Sequence, residues 1–259
     1  MKSAAAHAKI NLALVVGPTR PDGKHEVATV LQRIDLADRV SLEPAREVEV
    51  FGFPEDTLVA AALRALGVTA RAHVEKRIPV GAGLGGGSSD AAAALRLGNE
   101  LLPEALSATA LHEVAAGLGA DVPFFLAAGP QLGTGDGTEL SPVEIASDYV
   151  VVVVLPAGAE KASTATVYES FSGAAGFAHR RIALERALEA GDIAALPPND
   201  LASSPLADEL RRLGAFRADV SGAGPAVYGL FADEAQAEAA REALANRGQT
   251  WLTKPAWYG

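Results

Sequence analysis

Residues Pro79 to Leu95 read PVGAGLGGGSSDAAAAL, with five glycines between positions 81 and 87, then two serines, an aspartate and an alanine-rich run. Glycine admits positive φ and lets a backbone approach a ligand with no Cβ in the way. A helix opening directly behind such a loop turns its unsatisfied N–H groups and positive dipole end toward whatever the loop holds. Loop and helix N-terminus together make an anion site, and phosphate is the anion most often held this way. Gly81, Gly83 and Gly86 satisfy G-x-G-x-x-G, but a dinucleotide fold carries that pattern at its first strand–helix turn, with an acidic residue about 20 positions on. Here it lies near residue 80, with no acidic strand end after Leu102. A Walker loop needs Gly-Lys-Ser/Thr, and no lysine occurs between Arg77 and Lys161. The segment is a phosphate cradle of a third kind, or a glycine-rich turn of structural use alone.

The chain has 259 residues, enough for one large domain or two ordinary ones. With 49% hydrophobic and 21% charged residues, its composition is that of a soluble globular protein. A net charge of −10 argues against nonspecific nucleic-acid binding, which rests on phosphate neutralisation. A small phosphorylated ligand needs only a local cluster of donors, for which Lys9, Arg20, Lys24, Lys76 and Arg77 are available. The absence of cysteine excludes disulfides and thiolate metal sites and fits a reducing compartment. The N-terminal MKSAAAHAKINLALVV reads as a first strand rather than a leader, because Asn11 interrupts its apolar stretch. No run approaches the roughly 20 apolar residues of a membrane span. The expected location is the cytoplasm, and the expected state a monomer or weak homodimer.

Strand patterns are expected at Ile10–Val16, Val27–Ile34, Arg39–Leu42, Glu47–Phe51 and Ala70–Ile78, with a helix over Asp56–Leu66. Ser88 or Ser89 is positioned to cap a helix running from about Asp90 to Leu101. A second helix spans Ser107–Leu118 and stops at Gly119. Pro123 then discourages any helix through Asp121. The run YVVVVVL, Tyr149 to Leu155, reads as a strand buried on both faces. Helices over His179–Ala190, Ala202–Leu213 and Asp233–Asn246, a hairpin through ADVSGAGPAVYGLF and a strand at Thr250–Lys254 complete the set. Without strict βαβ alternation the fold class is α+β.

Taken singly, the remaining chemical candidates stay open. Lys9 shares a strand face with Asn11, and is an ordinary strand-end charge or part of a site. Asp121 in LGADVP is turn punctuation or a reactive carboxylate. Gly222 and Gly224 make a tight hairpin turn or a backbone able to crowd a ligand. No histidine has metal-ligand spacing and no G-x-S-x-G is present, which removes metalloprotease and common hydrolase readings.

Taken in order, AKINL at 8–12, the glycine segment at 79–95, LGADVP at 118–123 and SGAGP at 221–225 resemble the GHMP kinases, a superfamily of small-molecule kinases. The similarity spans about residues 6 to 254. It implies a two-domain α+β fold: a ribosomal-protein-S5-like ATP domain at 1–147 and a ferredoxin-like α/β sandwich at 148–259 that contributes to the substrate site. Pro79, Gly81, Gly83, Leu84, Gly85, Gly86, Gly87, Ser88 and Ser89 would hold the ATP phosphates. Mg²⁺ would bridge phosphate oxygens, with Ser88 or Ser89 as a direct or water-mediated contact. Asp121 would be the general base, and Lys9 beside it would keep that carboxylate ionised and position the reacting groups.

Within the superfamily, DGKHEV at 22–27 and Asn199-Asp200-Leu201 resemble the branch that phosphorylates the 2-hydroxyl of a cytidine-diphosphate-linked methylerythritol in the non-mevalonate isoprenoid route. Asn11, Lys24, His25, Asp121 and Tyr168 would then bind this acceptor, His25 at the cytosine edge and Tyr168 by stacking. The chain departs from the branch at Lys24, where a tyrosine is usual, and at His7, where proline or serine is usual. A lost stacking ring would weaken binding by roughly 1 kcal/mol. The alternatives are another acceptor, of homoserine or mevalonate type, or an inactive nucleotide binder. Retention of both Lys9 and Asp121 argues against the inactive binder.

Overall fold

The computed structural model describes residues 1–53, 55, 57–159 and 164–257. It divides into two compact units: Met1–Ala8, Leu36–Val80 and Gly85–Ala128 form the first, and Lys9–Asp35, Gly81–Leu84 and Gly129–Gly259 the second. Two long strands, β1 (Lys2–Thr19) and β2 (His25–Pro44), contribute a segment to each. The sequence pattern suggested two strands where β2 runs unbroken. Residues 35–37 contain neither glycine nor proline, so nothing interrupts the extended backbone between the two apolar stretches.

In the first unit, β3 (Glu49–Phe51) runs parallel to β4 (Ala70–Glu75), with Val50 opposite Ala72. β4 is antiparallel to residues 39–44 of β2, with Val40 opposite Val74. Along β4, Ala70, Ala72 and Val74 are buried while Arg71, His73 and Glu75 face outward, as expected of a half-buried strand. Helices α1 (Thr57–Ala65), α2 (Gly86–Asn99) and α3 (Ala108–Leu118) complete the unit, with a 3₁₀ turn at Pro123–Leu126. The expected start of α1 at Asp56 lies outside the described residues.

Ala91 to Leu95 in α2 are entirely buried, so the alanine run lets the helix pack on every side. At Gly98 an added Cβ would stand 2.9 Å from Leu66 Cδ1, so α2 and the end of α1 approach too closely for a side chain. α3 begins and ends as the sequence indicates: Ser107 accepts a hydrogen bond from the Ala110 N–H, and Gly119 closes the helix.

In the second unit, residues 29–31 of β2 pair antiparallel with β5 (Gln131–Thr134), which pairs with β6 (Glu139–Pro142). These two strands carry little sequence signal, being four residues each, with Gly133 in one and Pro142 at the end of the other. A separate antiparallel sheet has the order β10 (Gly248–Thr253), β7 (Val150–Pro156), β9 (Val227–Phe231), β8 (Arg217–Val220). β7 is central in it, and Val151 to Val154 are fully buried. Helices α6 (Pro205–Arg212) and α7 (Glu234–Ala243) bring Leu210, Ala237 and Ala240 into the same core. α4 (Thr164–Glu169) and α5 (Phe177–Glu189) belong to this unit as well.

Candidate active site

The glycine segment is shaped by three left-handed residues: Gly81, Gly83 and Gly85 have φ of 76, 82 and 72°. Only glycine adopts these values without strain. Gly85 precedes α2 and offers no side-chain cap. The expectation that Ser88 or Ser89 caps the helix is therefore corrected. α2 starts at Gly86, and both serines lie within its first turn, because Gly86 and Gly87 already form the start of the helix. Ser88 is half-buried. The Ser89 hydroxyl is fully buried and makes no hydrogen bond to another described residue. An uncapped helix start with a buried hydroxyl beside it suits phosphate oxygens or a metal-bound water.

The start of α2 is anchored by charge. Asp38 accepts hydrogen bonds from the backbone N–H groups of Arg77 and Ile78 and from Lys76 Nζ at 2.6 Å. Lys76 also donates to Asp90 at 2.7 Å, and both carboxylate side chains are fully buried. Burial alone would pull the Lys76 ammonium down, but the Asp38 and Asp90 carboxylates outweigh it and hold the group above its ordinary range. Lys76, read from sequence as a phosphate donor, is thus committed within the protein. So is Arg20, which pairs with Glu26 at 3.0 Å and Asp22 at 3.4 Å.

In the second unit, Lys9 Nζ donates to Asn11 Oδ1 at 2.6 Å. Asn11 Nδ2 donates to Thr29 Oγ1 at 2.8 Å, and Thr29 donates to the Ala13 carbonyl. All three side chains are buried, so the chain of donors fixes the Asn11 amide orientation. The Lys9 N–H donates to the Leu84 carbonyl, and the Ala226 N–H to that of Ala82. Gly83 meets the SGAGP turn directly: an added Cβ would lie 2.4 Å from the Ser221 carbonyl oxygen. The structure therefore brings Lys9, Asn11, Gly83 and the 221–224 turn together. Asp121 belongs to the first unit, half-buried in the turn between α3 and the 3₁₀ segment.

Two of the expected acceptor residues, His25 and Tyr168, form a second cluster. His25 Nδ1 lies 2.8 Å from the Gly17 carbonyl. A carbonyl only accepts, so Nδ1 carries the proton, and in the neutral ring Nε2 is the acceptor. The imidazole lies 5.9 Å from the ring centres of both Tyr168 and Phe171. Phe171, unmarked in the sequence reading, packs with Tyr168 on Leu14, Val16 and Val27. Its place three residues after Tyr168, just past the end of α4, was the available signal. Lys24 pairs with Asp136, which also accepts from the Thr138 hydroxyl at 2.6 Å. Burial would raise the Asp136 carboxyl, but Lys24 and Thr138 bring it down to about 2.

Among the described residues there is no cluster of three or more histidine, aspartate or glutamate side chains arranged for a metal ion. No helix among them is long and apolar enough to cross a membrane.

Comparison with known proteins matches residues 56–129 to the GHMP kinases N terminal domain and residues 184–250 to the GHMP kinases C terminal domain. A 4-diphosphocytidyl-2-C-methyl-D-erythritol kinase from Chloroherpeton thalassium is 36% identical, with 97% of each chain aligned. The chain belongs to this family of GHMP kinases. A second member, from Desulfitobacterium hafniense, is 39% identical over 90% of this chain and 88% of its own. A crystal structure of 4-(cytidine 5'-diphospho)-2C-methyl-D-erythritol kinase superposes with a TM-score of 0.81 at 32% identity over the whole of both chains. A homoserine kinase from Cytophaga hutchinsonii shares the fold, with a TM-score of 0.74 at 17% identity. Membership in the GHMP kinases implies ATP as phosphoryl donor and a small-molecule acceptor.

Proposed function

We propose that this chain transfers the terminal phosphoryl group of ATP to the 2-hydroxyl of 4-diphosphocytidyl-2-C-methyl-D-erythritol. The observation that carries this reading is similarity to enzymes of that name along nearly the whole chain. Local geometry supports it on the donor side through the uncapped start of α2. On the acceptor side it is supported by the His25–Tyr168–Phe171 cluster.

ATP, when bound, supplies the electrophilic phosphorus and ADP as leaving group. Asp121 accepts the proton of the acceptor hydroxyl as its oxygen bonds to that phosphorus. Lys9, oriented by Asn11, offers positive charge to the equatorial oxygens, where phosphoryl transfer gathers negative charge. The N–H groups at Gly85–Ser88, with Pro79, Gly81, Gly83, Leu84 and the Ser89 hydroxyl, hold the phosphates. His25 turns its Nε2 lone pair toward the exocyclic amine of cytosine, Tyr168 stacks on the ring, and Lys24 lies at the rim of that subsite. Mg²⁺ is expected to enter with the nucleotide and to meet the Ser88 or Ser89 hydroxyl. We further propose a division of the chain at 147/148, with the matched family segments on either side. The enzyme is proposed to be a cytoplasmic monomer or weak homodimer.

The test is ADP release from purified protein with the cytidyl acceptor, homoserine or mevalonate. Activity on the cytidyl acceptor alone is expected, and activity on homoserine without it would overturn the reading. Asp121→Asn is expected to bind ATP normally and lose about 10²–10⁴-fold in kcat. Near-normal turnover would remove Asp121 from the base role.

A further inference from the structure

Asn199 lies between β7 and β8 in sequence, in a loop just before α6, and is 8% exposed. Its side-chain amide and its backbone N–H are all used. Its Nδ2 donates to the Gly222 carbonyl at 2.6 Å and the Val220 carbonyl at 2.9 Å. Oδ1 accepts from the Leu201 N–H at 2.8 Å, and its own N–H donates to Asp219 at 2.8 Å. One amide thus grips both the end of β8 and the turn that follows it.

That turn is pressed against the residues proposed for catalysis. Gly222 has φ of 58°, and a Cβ there would lie 3.4 Å from Asn11 Oδ1 and 3.5 Å from both Lys9 Nζ and the Gly83 carbonyl oxygen. Ser221 Oγ donates to the same Gly83 carbonyl at 3.0 Å. The Gly222 backbone is therefore one wall of the space around the Lys9 ammonium, and Asn199 holds that wall.

We propose that Asn199 is a positioning residue for phosphoryl transfer: by fixing the 220–222 carbonyls it sets the place of Lys9 and of the Gly83 segment. The proposal rests on the assignment of Lys9 to the reaction. Asn199→Asp keeps the shape and the acceptor toward Leu201. It puts a carboxylate oxygen, in place of two N–H donors, against the carbonyls of Val220 and Gly222, so the turn is pushed away. Displacement by about 1 Å at a reacting centre costs up to about 10²-fold in rate.

The experiment compares wild type, Asn199→Asp and Ser221→Ala, the last removing the Gly83 contact from the other side without adding charge. Each is measured for melting temperature, for kcat and KM with ATP and the cytidyl acceptor, and for the rate of Lys9 acylation by acetic anhydride, read by peptide mass. Asn199→Asp is expected to lower kcat about 10- to 100-fold with KM for the acceptor within about threefold. Lys9, buried in wild type, is expected to acylate several-fold faster relative to the other lysines. Ser221→Ala is expected to shift both readouts in the same direction by less, and it decides the question if Asn199→Asp does not fold. A folded Asn199→Asp protein with wild-type kcat and wild-type Lys9 labelling would overturn the proposal. So would parallel falls in melting temperature and activity with Lys9 labelling unchanged. If wild type itself fails on the cytidyl acceptor, the proposed reaction falls, and the labelling still decides whether Asn199 positions Lys9.

Discussion

α2 and α3 lie in the same unit and open in opposite ways. α3 is preceded by Ser107 in extended conformation, whose hydroxyl accepts from the Ala110 N–H at 3.2 Å. α6 and α7 are closed in the same manner by Ser204 and Asp233. α2 is preceded by a left-handed glycine with nothing to offer, although two serines stand within its first turn. A cap satisfies the helix's own N–H groups, worth about 1 kcal/mol. A helix that forgoes it keeps those donors for an anion and must be held by other means. For α2 those means are the Asp38–Lys76–Asp90 cluster.

The largest expected effect tests that anchor. Asp38→Ala removes one carboxylate from a buried ion pair and strands the Arg77 and Ile78 N–H groups. Breaking such a pair from one side costs about 3–5 kcal/mol. At this chain length that corresponds to a fall of at least about 6 °C in melting temperature. Thermal unfolding of the variant at neutral pH measures it, and a melting curve like wild type would mean that α2 is held by something other than this cluster.

The next effect asks whether the open end of α2 is kept for phosphate. At Gly87 an added Cβ would meet only Leu58 Cδ1, at 3.7 Å, an ordinary contact. Gly87→Asp therefore fits, supplies a favourable first-turn charge and raises helix propensity over glycine. The same charge would compete with and repel phosphate, so KM for ATP should rise roughly 10- to 100-fold, tenfold being about 1.4 kcal/mol. Melting temperature should hold or increase. Gly87→Asn separates charge from bulk, and an equal KM for the two variants would sink the electrostatic account.

The same two helices mark how far the sequence could be read. The span of α3 from Ser107 and its stop at Gly119 were legible because helix ends depend on residues adjacent in the chain. Ser88 and Ser89 misled because the cap rule reads residue type and not whether the helix reserves its donors for a ligand. β7 was legible from its valines, whereas β5 and β6 were not, since their pairing and not their composition makes them strands. The glycine segment, Lys9 and Asp121 were readable as members of an ordered motif set. Phe171, the contact of Ser221 with Gly83 and the grip of Asn199 on Gly222, 23 residues away, were not. Such partners are selected by tertiary distance, which leaves no period in the sequence. Lys76 and Arg20 show the converse: a basic residue near a phosphate motif is spoken for when a buried or neighbouring carboxylate reaches it first.

The smallest effect sharpens the comparison by pH. Ser107→Ala should cost about 1 kcal/mol, or about 2–4 °C, and leave KM for ATP unchanged. A hydroxyl cap does not titrate, so the gap between wild type and this variant should be the same at pH 6, 9 and 11. The anchor of α2 carries charge and behaves otherwise. The Lys76 ammonium is held above its ordinary 10.5 by Asp38 and Asp90 against the opposing effect of burial. A group whose folded pKa is raised gives its full stabilisation below the unfolded value and loses it as pH climbs through the folded one. Stability in urea should therefore fall between pH 10.5 and the higher folded value in wild type and Ser107→Ala alike, in parallel curves. In Asp38→Ala, where one of the two raising carboxylates is gone, the fall should end nearer 10.5 and be smaller. A Ser107→Ala gap that closes with rising pH would tie α3 to the charged anchor and break the distinction between the two helix starts.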